Sequence, residues 1–281
     1  MACYDLETTG VDPHRDRIVT AAVVKVGGGH RTVPHTWLVN PGIPIPEAAT
    51  AIHGITTGDA RDGGKDPATA VVEIAQALLM ASDRGIPIVG HNLVYDITML
   101  WAELIRHGDD DLAERIAYLE PVIDTQIIEQ HLDPYRPKEP KSWTKRPAST
   151  CGSHTLVDSC RLWGIDLSDA DAHGAEADAL AAGRLAWKLA TAPLLFAHFD
   201  TRPLERILPA QMTLQELHDW QIGQYVERAA SYQSYRRGEQ RTQPPEGADP
   251  EFVAATDWPF QPPPADWSAD QLPAVADAVH A

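Results

Sequence analysis

A chain of 281 residues with 43% hydrophobic content is long enough to bury a core, and it reads as one domain of roughly 200 residues with appendages. Its formal net charge of −17 excludes broad, non-specific attraction to nucleic acid, so a polyanion would have to be met locally, by metal ions or a basic segment. The chain has no apolar run of bilayer-spanning length, no basic-then-apolar signal pattern, and too few cysteines (Cys3, Cys151, Cys160) for a disulfide framework; a soluble cytoplasmic protein with no membrane partner is expected.

Residues 2–7 predict a strand whose period of two sends Asp5 and Glu7 out of one face. Two carboxylates about 4 Å apart, at an effective dielectric of about 20, repel by roughly 4 kcal/mol. Such a pair persists only with protons or cations as compensation, and magnesium, a hard ion that prefers carboxylate oxygen, is the natural candidate. Val11-Asp12-Pro13 is a turn, the β-branched stretch 17–26 predicts a second strand, and Gly27-Gly28-Gly29 leads into a third around 31–39, making an antiparallel meander. Helices are predicted over 46–54 and 66–82, the second with Val71, Ile74, Leu78 and Leu79 at helical spacing behind an Asp66-Pro67 start. Ile86-Pro87-Ile88-Val89-Gly90 reads as a buried strand feeding a helix to about residue 107, and Pro121-Val122-Ile123-Asp124 repeats the pattern. This order predicts an α/β fold with a mixed sheet covered by helices.

A loop is predicted over 133–153, where Arg136, Lys138, Lys141, Lys145 and Arg146 surround Trp143. Cations around an aromatic suit a single-stranded nucleic-acid path, since bases stack while lysines meet phosphates. Helices follow over 155–163 and 175–190. Another, over 211–240, has Leu214, Leu217, Ile222, Tyr225 and Val226 on its apolar side and is expected to pack on its own domain. Past Arg241 prolines and acids are frequent and Lys and Arg absent, which predicts disorder despite Trp258, Phe260 and Trp267. The expected organisation is a domain over 1–195, a helical extension over 196–240 and an acidic, proline-rich tail over 241–281.

Two further acids extend the Asp5/Glu7 pair. Asp96 falls in the first turns of the helix after the second apolar strand, at the kind of sheet edge where open α/β sheets collect ligands. Asp178 follows His173 by five residues, which on one regular helix is an angle of about 140°. The two could share a pocket only if His173 lies in the preceding loop, a break that Gly174 makes plausible. Asp178 would then sit in a first turn, where the helix dipole favours an anion. Cys151, His154 and Cys160 lack a fourth ligand for structural zinc.

Asp5-x-Glu7, Asp96 and His173-x4-Asp178 together resemble the three motifs of the DEDDh 3′–5′ exonucleases, the group of the bacterial replicative proofreading subunit, RNase T and oligoribonuclease. The stretch from Asn40 to Pro46, Ile52-His53-Gly54-Ile55-Thr56, Asp124-Thr125 and the stretch from Leu156 to Gly164 are similar too, so the resemblance covers about residues 2–190. It implies a ribonuclease H-like mixed five-stranded sheet flanked by helices. It also implies two Mg2+ ions, with Mn2+ as a substitute, held by Asp5, Glu7, Asp96 and Asp178, with Asp5 bridging them. His173 would be the general base. The implied substrate is a single-stranded DNA or RNA 3′ end and the product a nucleoside 5′-monophosphate. Leu6, Thr8, His53 and Asn92 would bind the terminal nucleotide, and Lys141, Trp143 and Lys145 the strand. A polymerase or repair partner is expected at the C-terminal region. The rival is a non-catalytic or partner-dependent nucleic-acid-binding module.

Overall fold

The structure, a computed structural model, describes residues 1–29, 31–134, 136–140, 148–167, 174–191, 211–239 and 247–270. Strands β1 (Ala2–Thr8), β2 (Ile18–Lys25), β3 (Val33–Leu38), β4 (Ile88–Gly90) and β5 (Val122–Asp124) form one sheet in the order β3-β2-β1-β4-β5. The first three make the expected antiparallel meander, and β4 and β5 run parallel to β1. This is the mixed five-stranded, ribonuclease H-like α/β fold that the resemblance implied.

Alternation along the strands divides the core between two faces. Tyr4, Leu6, Ala21 and Val23 face α3 (Pro67–Ser82) and α4 (Leu93–Arg106), packing with Ile74, Leu78, Ile97 and Leu100. Cys3, Ala22, Val24 and Val89 face α6 (Thr125–Leu132), α7 (Leu156–Trp163) and α8 (Ala175–Thr191), packing with Ile128, Cys160, Ala179 and Leu185. Because both faces are covered, β4 reads as a continuous apolar run without alternation. Two helices near α1 (Glu47–His53) and α4 were not expected from the sequence: α2 (Thr57–Gly63), started by a reciprocal cap between Thr56 and Asp59, and α5 (Asp110–Ala117), capped by Asp109.

The free edge of β5 is closed by side chains of α9 (Leu214–Arg237) rather than by a sixth strand. Gln221 Nε2 donates to the Val122 carbonyl at 2.8 Å, and its Oε1 accepts from the Asp124 N–H at 2.7 Å. His218 Nδ1 accepts from the Val122 N–H at 3.1 Å. The helix expected to pack on its own domain does so through these buried polar groups as much as through apolar ones.

Two sequence expectations are corrected. Residues 247–270 were expected to be disordered, yet they lie along α9 and α4, with Ala254 N donating to Gln233 Oε1 at 3.1 Å and Gln261 N to Thr98 Oγ1 at 3.0 Å. Trp258 is buried in the core, and the Phe260 and Trp267 rings stand 4.9 and 5.5 Å from Trp101. Three large aromatic surfaces hold down a segment whose prolines and acids suggested otherwise. Arg136 was counted among the loop cations, but it forms a buried ion pair with Glu129 at 2.7 Å, so its charge serves the fold. No described helix is long and apolar enough to cross a membrane.

Candidate active site

The site exists because β1 outruns its neighbour. β4 pairs Ile88 with Ala2 and Val89 with Cys3 and ends at Gly90, so the outer half of β1 continues with no strand on that side. The Leu6 N–H left over there donates to Asp96 Oδ1 at 3.1 Å. Asp96 is brought to that place by the abrupt start of α4. A Cβ on Gly90 would lie 2.4 Å from Leu93 Cδ2 and 2.8 Å from the Tyr4 carbonyl oxygen, so only glycine permits the turn. Asn92 then takes a left-handed conformation, φ 69° and ψ 40°.

One carboxylate starts two helices. Asp124, at the end of β5, accepts from the backbone N–H groups of Asn92, Leu93 and Gln126, each at 2.9 Å, and so satisfies orphan donors of both α4 and α6. Thr125 Oγ1 adds a bond to the Gly90 carbonyl at 2.9 Å. The Asp124-Thr125 pair, noted in the sequence only for its resemblance, thereby positions Asp96. An Asp at a strand's end directly before a helix is the signal that carried it.

Asp178 arrives from the opposite face, in the first turn of α8. That helix lies close on the sheet because residue 183 is glycine: a Cβ there would be 2.5 Å from Cys3 Sγ. Cys3, Asp5 and Glu7 share this face by the period of two, so the approach that seats Gly183 on Cys3 also brings Asp178 to the two acids. Asp5, Glu7 and Asp178 offer carboxylate oxygens that all lie within 4.8 Å of one another.

The electrostatics follow from that crowding. Asp5 is held well above the usual carboxylate range, first by burial and then by Asp96, Asp178 and Glu7 around it. Glu7 is pushed up to about 8 by burial and by Asp178. Asp96 is raised chiefly by burial, partly offset by backbone N–H groups that include that of Leu6. Among the described residues no Lys or Arg forms an ion pair with Asp5, Glu7 or Asp96. A set of hard oxygen donors with suppressed acidity fits divalent ions of the Mg2+ or Mn2+ kind.

His53 lies beside the Thr8 backbone, its Nδ1 accepting from Ile55 N at 3.1 Å, and burial lowers its pKa. It shares with Glu7 a cleft of about 890 Å3 also lined by Trp37, Ile55, Leu180 and Arg184. The Leu6 side chain is turned into the core, and its N–H is committed to Asp96. Thr8 Oγ1 bonds the Gly10 carbonyl at 2.7 Å and Tyr95 Oη at 2.6 Å. Asn92 stands at the start of α4, outside the acid cluster. His173, Lys141, Trp143 and Lys145 lie outside the described residues. Sequence reasoning missed Tyr95, which ties Thr8 and Gly10 to the turn that carries Asp96.

A DNA polymerase III subunit epsilon-like protein of Rhodobacter capsulatus is 33% identical over 128 residues, which is 44% of this chain and 16% of that protein. A PolC-type DNA polymerase III of Lacticaseibacillus paracasei is 28% identical over 186 residues, 66% of this chain and 11% of that protein. The chain thus spans only a small part of these curated relatives. Escherichia coli exonuclease I in complex with a dT13 oligonucleotide shares the fold, with a TM-score of 0.53 at 22% identity over 69% of this chain and 42% of that one. A family model described as an exonuclease, of the RNase T type, matches residues 2–186, and the chain belongs to that family.

Proposed function

We propose that this chain is a divalent-metal-dependent 3′–5′ exonuclease that hydrolyses the terminal phosphodiester of single-stranded DNA or RNA and releases nucleoside 5′-monophosphates. The observation that carries this reading is the convergence of Asp5, Glu7 and Asp178 within 4.8 Å, with Asp96 close enough to raise the pKa of Asp5 from the other side. Asp5 stands between two groups of acids, so it would serve two ions, one with Glu7 and Asp178 and one with Asp96. When bound, such ions supply Lewis-acid stabilisation of charge on the attacking and leaving oxygens.

The chain's own residues do the rest. The Leu6 N–H fixes the Asp96 carboxylate, Asp124 fixes the helix that bears it, and Gly183 sets the depth of Asp178. His173, at the position expected for the family's general base, would take the proton from the attacking water on an imidazole nitrogen. The Glu7–His53 cleft is the place for the last nucleotide. Single-stranded DNA is favoured as substrate by the oligonucleotide complex of exonuclease I, and the epsilon-like and PolC-type relatives support association with a polymerase.

A panel of 5′-labelled DNA and RNA oligomers, single- and double-stranded, incubated with Mg2+ or Mn2+, tests the reading. Shortening from the 3′ end with monophosphate release is expected, and EDTA or Asp178→Asn should stop it. A wild-type protein that binds the oligomers and shortens none of them would instead be the binding module.

A further inference from the structure

We infer that Arg228 of α9 binds a phosphate of the substrate strand upstream of the scissile bond, an assignment that rests on the exonuclease reading above. The direction of α9 carries it. His218 meets Val122 and Gln221 reaches Asp124, so the helix runs in the same direction as β5. β5 stops at Asp124, whereas α9 continues to Arg237 and overshoots the carboxyl edge of the sheet. Arg228 stands seven residues after Gln221, on the same face and about 10 Å further along the helix axis. It therefore projects beside the edge where β4 and β5 end and the acids collect.

Its anchoring is firm. Tyr225, between the two, packs on the core and accepts from Gln261 Nε2 at 2.6 Å, and Gln261 is itself bonded to Thr98. The guanidinium is half-buried and feels its surroundings: burial lowers its pKa, while the Asp124 carboxylate and Tyr225 raise it. Yet it makes no hydrogen bond or ion pair with another described residue. The other arginines of α9 are occupied, Arg236 over the Phe252 ring at 4.5 Å and Arg237 donating to the Phe252 carbonyl at 2.8 Å. Asp124 forms no ion pair with Arg228; its oxygens accept three backbone N–H groups.

A guanidinium partly withdrawn from water with its donor fork uncommitted lacks the anion that would compensate it. The planar fork matches phosphate oxygens, and a protein of net charge −17 has few cations to spare for this purpose. β5 is two strands from β1, about 10 Å at the usual strand spacing. Helix α9 lies beyond the free edge of β5, so Arg228 is more than about 10 Å from the acids, the span of at least about three stacked nucleotides at ~3.4 Å each. The terminal dinucleotide would not reach it.

The test measures binding of fluorescein-labelled oligothymidine of about twelve nucleotides, and of a dinucleotide, by anisotropy with Ca2+ across a salt series. Arg228→Ala should bind the longer strand about tenfold more weakly. Its salt dependence should lose one phosphate contact, so that the fall in affinity between about 50 and 200 mM salt is roughly 2.6-fold smaller. Dinucleotide binding should not change, and Arg228→Lys should recover part of the loss. Unchanged affinity and salt slope for the long strand would overturn the assignment. If the alanine variant fails to fold, Arg228→Gln, which keeps the aliphatic stem, is read by the same two outcomes. Hydrolysis of the p-nitrophenyl ester of thymidine 5′-monophosphate separates the claims. Wild type and Arg228→Ala should cleave it equally, and a wild type inert on it and on oligomers would remove the exonuclease reading while anisotropy still decides Arg228.

Discussion

Replacing Gln221 with leucine removes the two side-chain bonds that close the β5 edge while nearly keeping the side-chain volume. It leaves the Val122 carbonyl and the Asp124 N–H buried behind an apolar group, and each unsatisfied group costs about 1–3 kcal/mol. Apolar gain from leucine offsets part of that total, so a net loss of about 3 kcal/mol is expected, equivalent to a fall in Tm of about 6–12 °C for a domain of this size. Urea unfolding followed by tryptophan fluorescence measures the loss, and hydrogen exchange of the Asp124 amide locates it. Gln221→Glu should also destabilise, since it keeps the acceptor for Asp124 but turns a carboxylate toward the Val122 carbonyl. A stability change under about 0.5 kcal/mol, with the Asp124 amide still protected, would refute the idea that α9 closes this edge.

Three further perturbations probe other parts. Gly183→Ala should cost about 1–3 kcal/mol by forcing α8 off Cys3, and should slow hydrolysis as Asp178 moves; Cys3→Ala in the same chain should restore both, and additive effects in that double-mutant cycle would count against the contact. Trp258→Ala should cost about 3–5 kcal/mol in urea unfolding, whereas a loose tail would give almost no change. Metal-free protein should lose stability as pH rises: Glu7 ionises near 4.5 when unfolded and at about 8 when folded, so its contribution is present below about 4.5 and is lost by about 8, with Asp5 and Asp96 acting in the same direction. Mg2+ should therefore raise Tm more at pH 8 than at pH 5.5, and an equal rise at both would contradict this.

Much of the architecture was legible wherever a local period carries it. The meander shows in β-branched runs broken by Val11-Asp12-Pro13 and the glycine triplet, and α3 and α4 show in apolar spacing behind Asp66-Pro67 and a buried strand. Motif spacing and family resemblance both pointed to the four acids, and the structure brings the carboxylate oxygens of Asp5, Glu7 and Asp178 within 4.8 Å of one another. Helices α2 and α5 were missed because each is barely two turns long and is announced only by its cap. The role of Gln221 was invisible for a different reason: its partner lies 97 residues away, and a buried amide that closes a strand edge looks in sequence like a solvated one. Composition misled at the tail, where prolines and acids outnumber the few aromatics that decide its packing. It misled again at Arg136, whose partner Glu129 lies on the preceding helix.

The central claim is that Asp5, Glu7, Asp96 and Asp178 form a single cradle for divalent ions, and anomalous scattering from a crystal of the protein soaked in Mn2+ measures this directly. Two peaks are expected about 3.5–4 Å apart, one against Asp5, Glu7 and Asp178 and one between Asp5 and Asp96. Peaks confined to other carboxylates of the surface, with the four oxygens unligated, would contradict it.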